Sequence, residues 1–168
     1  MPRLLAETQL TTIPAHNLIT LRDQDTAPSP DPRGVIEQAQ HDVAASTDDE
    51  LYISCAQDLS PVTVTAHIWD SHPDTIEHLG PPLTLHCPSG QLVLASPTGD
   101  AIGIELPQGP GTYALRITHH GRTTAAEYRR QLLTSLDTPS GSLPAPADRR
   151  PGTEHYRIHL WPNTPLPN

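Results

Sequence analysis

Apolar and polar residues alternate along most of this chain with a period of two. The clearest run is PVTVTAHIWD (61–70), where Val62, Val64, Ala66 and Ile68 share one parity and Thr63, Thr65, His67 and Trp69 the other. Successive side chains of an extended strand point to opposite faces, so this run predicts an antiparallel strand with one face in a core and one wetter face. ELYISCAQ (50–57) sets Leu51, Ile53 and Cys55 together, and PPLTLHCPSG (81–90) does the same with Leu83, Leu85 and Cys87. HNLITLRD (16–23), QLVLAS (91–96), AIGIELP (101–107), TYALRITHHG (112–121) and EHYRIHLWP (154–162) complete the series, punctuated by PSG, PTGD and QGPG turns.

Three stretches break the rhythm. QDTAPSPDPRG (24–34) predicts a loop, because proline cannot donate to a ladder. VIEQAQHDVAAS (35–46) reads as a short helix or irregular chain. TAAEYRRQLLTSL (124–136) reads as a short helix or mobile arm, followed by the Pro/Gly/Ser loop DTPSGSLPAPADRRPG (137–152). The pattern predicts an all-β chain: an antiparallel β-sandwich or partly open barrel of about eight strands, with a variable loop or short helix before the last strand. The spacing leaves no room for the crossover helices of a parallel sheet. At 168 residues one domain is expected, with its β core in 16–121 and 153–162.

Composition alters the picture of the core. With no Phe and only two Trp, it must be built from Leu, Ile, Val and Ala, anchored by Trp69 and Trp161. Lys is absent as well, which points to a G+C-rich genome. Net charge is −9 and uneven: residues 1–110 hold 15 acids against three arginines, and 111–168 hold four against seven. An acidic first two-thirds disfavours phosphate backbones, so no nucleic acid is expected as a partner. It suits solubility or a basic protein partner. MPRLLAETQLTTIPAH has no apolar core of a signal peptide and no span reaches membrane length, so a cytoplasmic, non-membrane location is expected. Cys55 and Cys87 then read as reduced, buried thiols.

Candidate chemistry is thin. His155, Arg157 and His159 share the polar parity of the last strand, but a guanidinium between two imidazoles repels a cation. No H-E-x-x-H or C-x-x-C occurs, so no metal and no cofactor is expected, and the row reads as a wet face available for contact. DSHPDTIEH (70–78) gathers Asp70, Asp74 and Glu77 with His72 and His78, carboxylates that could serve acid–base chemistry if their environments differed. In a Pro-containing loop they read better as a solvated acidic segment. Trp69 and Trp161 either cap the core or anchor a binding surface with Asp70, His72, Asp74, Glu77 and Arg157, with Arg116 able to join.

Gly111, Tyr113, Arg116, Gly121, Arg122, Glu154, Tyr156, Trp161 and Pro162 mark a G-x-Y-x-x-R strand, a G-R turn and an E-x-Y-x-hydrophobic-x-hydrophobic-W-P final strand. This order resembles a group of uncharacterised small actinobacterial β-sandwich proteins, across most of 16–162. The motifs are those of a fold and bring no catalytic residues with them. The layout is also similar to that of the competence nuclease inhibitor family, small acidic partners of a nuclease. That resemblance implies an interaction module, an inhibitor or immunity protein for a basic partner such as a nuclease toxin. Two alternatives stand beside it: a sandwich binding a small molecule or carbohydrate through its tryptophans, and a hydrolase using the Asp70–His78 loop.

Overall fold

The computed structural model describes residues 1–76, 82–97, 99–149 and 153–164. Ten strands form two five-stranded sheets. The first contains β1 (Leu4–Thr12), β5 (Val62–Trp69), β6 (Leu83–Cys87), β9 (Gly111–His120) and β10 (Glu154–Pro162), in the order β1-β5-β10-β9-β6. The second contains β2 (Leu18–Asp23), β3 (Ala44–Ser46), β4 (Glu50–Ser54), β7 (Gln91–Ala95) and β8 (Ala101–Glu105), in the order β3-β4-β2-β7-β8. Helix α1 (Arg33–Asp42) and helix α2 (Arg122–Leu136) complete the regular structure.

The apolar parity of each strand faces the other sheet, as the alternation predicts. Val62, Val64, Ala66 and Ile68 meet Ile19, Leu21, Leu51, Ile53, Leu92 and Leu94 in one core. The two-sheet, mostly β architecture therefore holds, but three expectations need correction. The described residues form ten strands rather than about eight, in two sheets rather than a barrel. β1 was hidden because its inward row, Ala6, Thr8, Leu10 and Thr12, is half threonine and shows little apolar contrast. β5 and β10 pair in parallel, Ile158 beside Ala66, within an otherwise antiparallel sheet. Local spacing could not reveal this, since the crossover between these strands is half of the chain rather than one helix.

The tryptophans do not anchor the core either. Tyr156 is its largest fully buried side chain, and neither indole belongs to the inter-sheet cluster. Both ambiguous segments resolve as helices, the first giving way to β3 at Ala44. α1 covers the outer side of the second sheet, where Ala39 packs with Ala45 and Tyr52. α2 buries only Ala125 and Leu132, leaving Leu133 and Leu136 exposed. Among the described residues no helix is long and apolar enough to cross a membrane.

Strand order has a consequence for the first sheet's outer face. β5 and β6 are consecutive in sequence but are separated in the sheet by β10 and β9. The second sheet occupies the inner side, and His72, Thr75 and Ile76 of the β5–β6 connection lie on the outer one, His72 against Trp161 and the other two with Thr118 and His159. Pro73 and Ile76 of that connection are buried.

Candidate functional site

The outer face of the first sheet is a grid of polar rows set by strand register. Glu7 pairs across with His67, His67 with His159, and His159 with Arg116. The next row runs Gln9, Thr65, Arg157 and Thr118. His67 Nε2 lies 3.0 Å from a Glu7 carboxylate oxygen. The His67 and His159 rings meet edge to face at 5.2 Å. His159 Nδ1 accepts the Trp69 indole N–H at 3.3 Å, and its Nε2 faces the Thr118 hydroxyl at 3.4 Å.

The wet-face reading of the last strand is half right. Arg157 is exposed, but His159 and Trp161 are only 7% and 6% exposed. The β5–β6 connection accounts for part of this: His72 stands edge-on against the Trp161 ring at 4.8 Å. Burial, then His67 and Arg157 nearby, pushes the His159 imidazole down to about 4, so it is neutral at pH 7. With Nδ1 taken by Trp69, this row is not arranged as a metal cage, and no cluster of three metal-ligating groups occurs among the described residues.

The contact surface expected from the sequence is partly assembled. Trp69 is half-buried, and Trp161 follows Leu160, which pairs with Ile68, so the two indoles are neighbouring register positions. Asp70 accepts the Arg3 amide at 2.8 Å and the Ser71 hydroxyl at 2.9 Å, and these bonds hold its carboxyl below the usual range. His72 Nδ1 lies 3.6 Å from an oxygen of exposed Asp74. Glu77 and His78 lie outside the described residues. Arg157 sits two rows from Trp161, beyond His159, and belongs to a different end of the face. Glu7 was missed because β1 was missed.

Two buried polar clusters bind the fold together. Glu154, fully buried, accepts the Ala56 amide at 2.5 Å, the Gln57 side chain at 3.1 Å and the Tyr156 hydroxyl. Arg122 donates to the Ser54 carbonyl and to the Tyr156 hydroxyl, each at 2.6 Å. Gly121 precedes it at φ 83°, where a Cβ would collide with the Thr153 carbonyl. The G-R and E-x-Y signatures are thus one structural clasp. In the second cluster, buried Asp23 accepts the Cys87 thiol at 3.0 Å, and the Ser89 amide and hydroxyl at 2.9 and 2.6 Å. Burial alone would raise the Asp23 carboxyl, but these bonds outweigh it and draw it to about 2. Burial pushes the Cys87 thiol up to about 12 and the Cys55 thiol higher still, so both free cysteines are unreactive thiols.

Away from this face, Asp25, Asp31, Glu37, Asp42, Asp48 and Asp49 are all exposed around α1 and the β3–β4 turn. Arg33 is the sole arginine of that stretch, and Asp31 already holds it through two bonds. The chain is similar in fold to a nuclease inhibitor. The solved structure is that of ComJ from Bacillus subtilis, described as an inhibitor of the DNA-degrading activity of NucA. It matches with a TM-score of 0.56 at 13% identity, over 96% of this chain and 98% of that one. A second solved structure, described as crocagin biosynthetic gene J, matches with a TM-score of 0.54 at 16% identity, over 98% and 99% of the two chains. At such identities the likeness is one of fold. No protein-family model matches the sequence, and a search of curated proteins found no match.

Proposed function

We propose that this protein is a cytoplasmic interaction module that inhibits a basic protein partner, a nuclease being the kind of partner its fold suggests. One observation carries the reading. The six carboxylates from Asp25 to Asp49 are all exposed, around α1 and the β3–β4 turn, with a single, already bonded arginine among them. Fixed negative charge of this kind speeds encounter with a cationic surface and rejects anionic competitors. The fold likeness to ComJ supports a nuclease as partner, since that protein is described as an inhibitor of one. Asp70 and Asp74 would extend the contact surface with Trp69, His72 and Trp161 on the other sheet, and Glu77, next in sequence after that loop's Ile76, would join it.

The test is capture of the tagged chain's partner from host lysate at low and then high salt, followed by a DNA-degradation assay on the captured protein. A basic protein retained at low salt and released at high salt is expected, with DNA cleavage suppressed by the chain. Combined Asp25→Asn, Glu37→Gln, Asp48→Asn and Asp49→Asn should relieve that suppression. If no basic protein is retained, or if DNA degradation by the retained protein ignores the added chain, the reading fails.

A further inference from the structure

The arginines of this chain are unequally answered. Of the nine among the described residues, six are ion-paired with carboxylates, and Arg149 bonds the Pro144 and Leu59 carbonyls. Arg116 and Arg157 make neither a hydrogen bond nor an ion pair among the described residues. They are also diagonal neighbours: Arg116 stands opposite His159, and Arg157 opposite Thr118, on the same outer face. The Arg116 Nε is buried without an acceptor. Two like charges at neighbouring register positions gain from an anion between them, and a buried donor left open marks a place where an acceptor is missing.

Beside Arg157 lies a basin of about 500 Å³ lined by Thr118, His119, His120, His155 and Arg157, with no carboxylate among the described residues of the lining. That composition contrasts with a chain carrying a net charge of −9. The adjoining hollow, of about 580 Å³, shares Thr118, His119 and Arg157 and includes one carboxylate, Asp42, which is bonded to Gln38 and His41. The basin also follows a stretch of β9 that β6 does not pair. β6 pairs with β9 only from Gly111 to Leu115, so Ile117–His120 have no strand from β6 beside them.

We propose that this basin is a phosphate-binding site, with Arg157 forking against two phosphate oxygens and the Thr118 hydroxyl and neighbouring imidazoles donating to the others. A planar guanidinium suits bidentate recognition of a phosphate, and Arg116 adds its charge from the next row. Free phosphate and the phosphate of a nucleotide share this chemistry.

The test is a titration of the full chain at pH 7.5, following the imidazole ring carbon–proton signals by NMR. Inorganic phosphate, adenosine monophosphate, and sodium acetate or chloride at matched ionic strength are the probes. Saturable shifts of His119, His120 and His155 with phosphate, absent with acetate and chloride, are expected. Arg157→Gln should weaken binding at least tenfold, and Thr118→Val several-fold. Arg157 is exposed, so its replacement leaves the fold intact, which circular dichroism verifies. Nucleotide binding more than threefold tighter than phosphate would identify a nucleotide as the source, and equal affinity bare phosphate. Linear shifts matching chloride, an equal response to acetate, or unaltered binding by the Arg157→Gln chain would each overturn the proposal.

Discussion

The Trp69 indole N–H donates to Nδ1 of His159 across 3.3 Å, and that bond fixes the state of a buried imidazole. An Nδ1 that accepts cannot carry the proton, so neutral His159 is protonated on Nε2, where the Thr118 hydroxyl lies at 3.4 Å. A second proton would have to displace the indole bond, beside the ring of His67 at 5.2 Å.

This relationship predicts how the protein responds to acid. The folded-state value of His159, about 4, lies below the ordinary value of 6.5, so the unfolded chain binds the proton more readily. The stability that His159 contributes is complete above about pH 6.5 and is lost as the pH falls towards 4. The loss should be on the order of 2–3 kcal/mol, a shift of this size being worth about 1.4 kcal/mol per unit. Urea melts between pH 7.5 and 4 would measure it, and His159→Gln should flatten the profile. If the native chain melts identically across that range, His159 is not held neutral.

How much of this was legible in the sequence follows from where the interactions lie. Alternation located β5 and the inward parity of β9 and β10, because burial acts on each strand locally. It also gave the outward row of His155, Arg157, His159 and Trp161, but not that His159 and Trp161 are covered. That covering depends on strand order, which places β10 and β9 between two consecutive strands. Glu7 beside His67 requires a strand whose inward side is half threonine. The Asp25–Asp49 charge was visible as composition, whereas the exposure of each of these carboxylates needed the fold.

Gly121 offers a test of the clasp. Its φ of 83° is open to glycine but disfavoured for other residues, and a Cβ would meet the Thr153 carbonyl where the chain enters β10. Gly121→Ala should cost more than the roughly 1–2 kcal/mol of a left-handed conformation alone. Thermal unfolding by calorimetry would show it as a lowered midpoint, and an unchanged midpoint would contradict the close approach.

Glu154 should be intolerant of even an isosteric change. Its carboxylate takes donors from Ala56 and Gln57 and from Tyr156, and Arg122 approaches to 3.9 Å. Glu154→Gln substitutes a donor for one of the two accepting oxygens and leaves the guanidinium without its counter-charge. A loss on the order of 3–5 kcal/mol is expected, as when one member of a buried ion pair is removed. Tyr156→Phe removes two bonds, the hydroxyl's donation to Glu154 and its acceptance from Arg122, and should cost about 2 kcal/mol. Chemical denaturation of both variants would rank them, and equal losses would mean that the carboxylate's charge is unimportant.

α2 should open independently of the sheets. It buries only Ala125 and Leu132, and beyond the clasp it is held by Arg129, whose Nε donates to Asp58 at 2.8 Å. The Asp58 loop is tied in turn to the 137–149 segment, because Arg149 donates to the Leu59 carbonyl at 2.5 Å. Both ties converge on residues 58–59, which follow β4 and carry no strand pairing of their own. Segments with few buried apolar contacts exchange their amides through local opening, at a free energy well below that of global unfolding. Asp58→Ala should therefore speed hydrogen exchange across 123–136 by about tenfold, equivalent to about 1.4 kcal/mol, while the amides of β5 and β10 exchange as before. Exchange followed by mass spectrometry separates the cases: uniform acceleration over the whole chain would show that α2 unfolds only together with the sandwich.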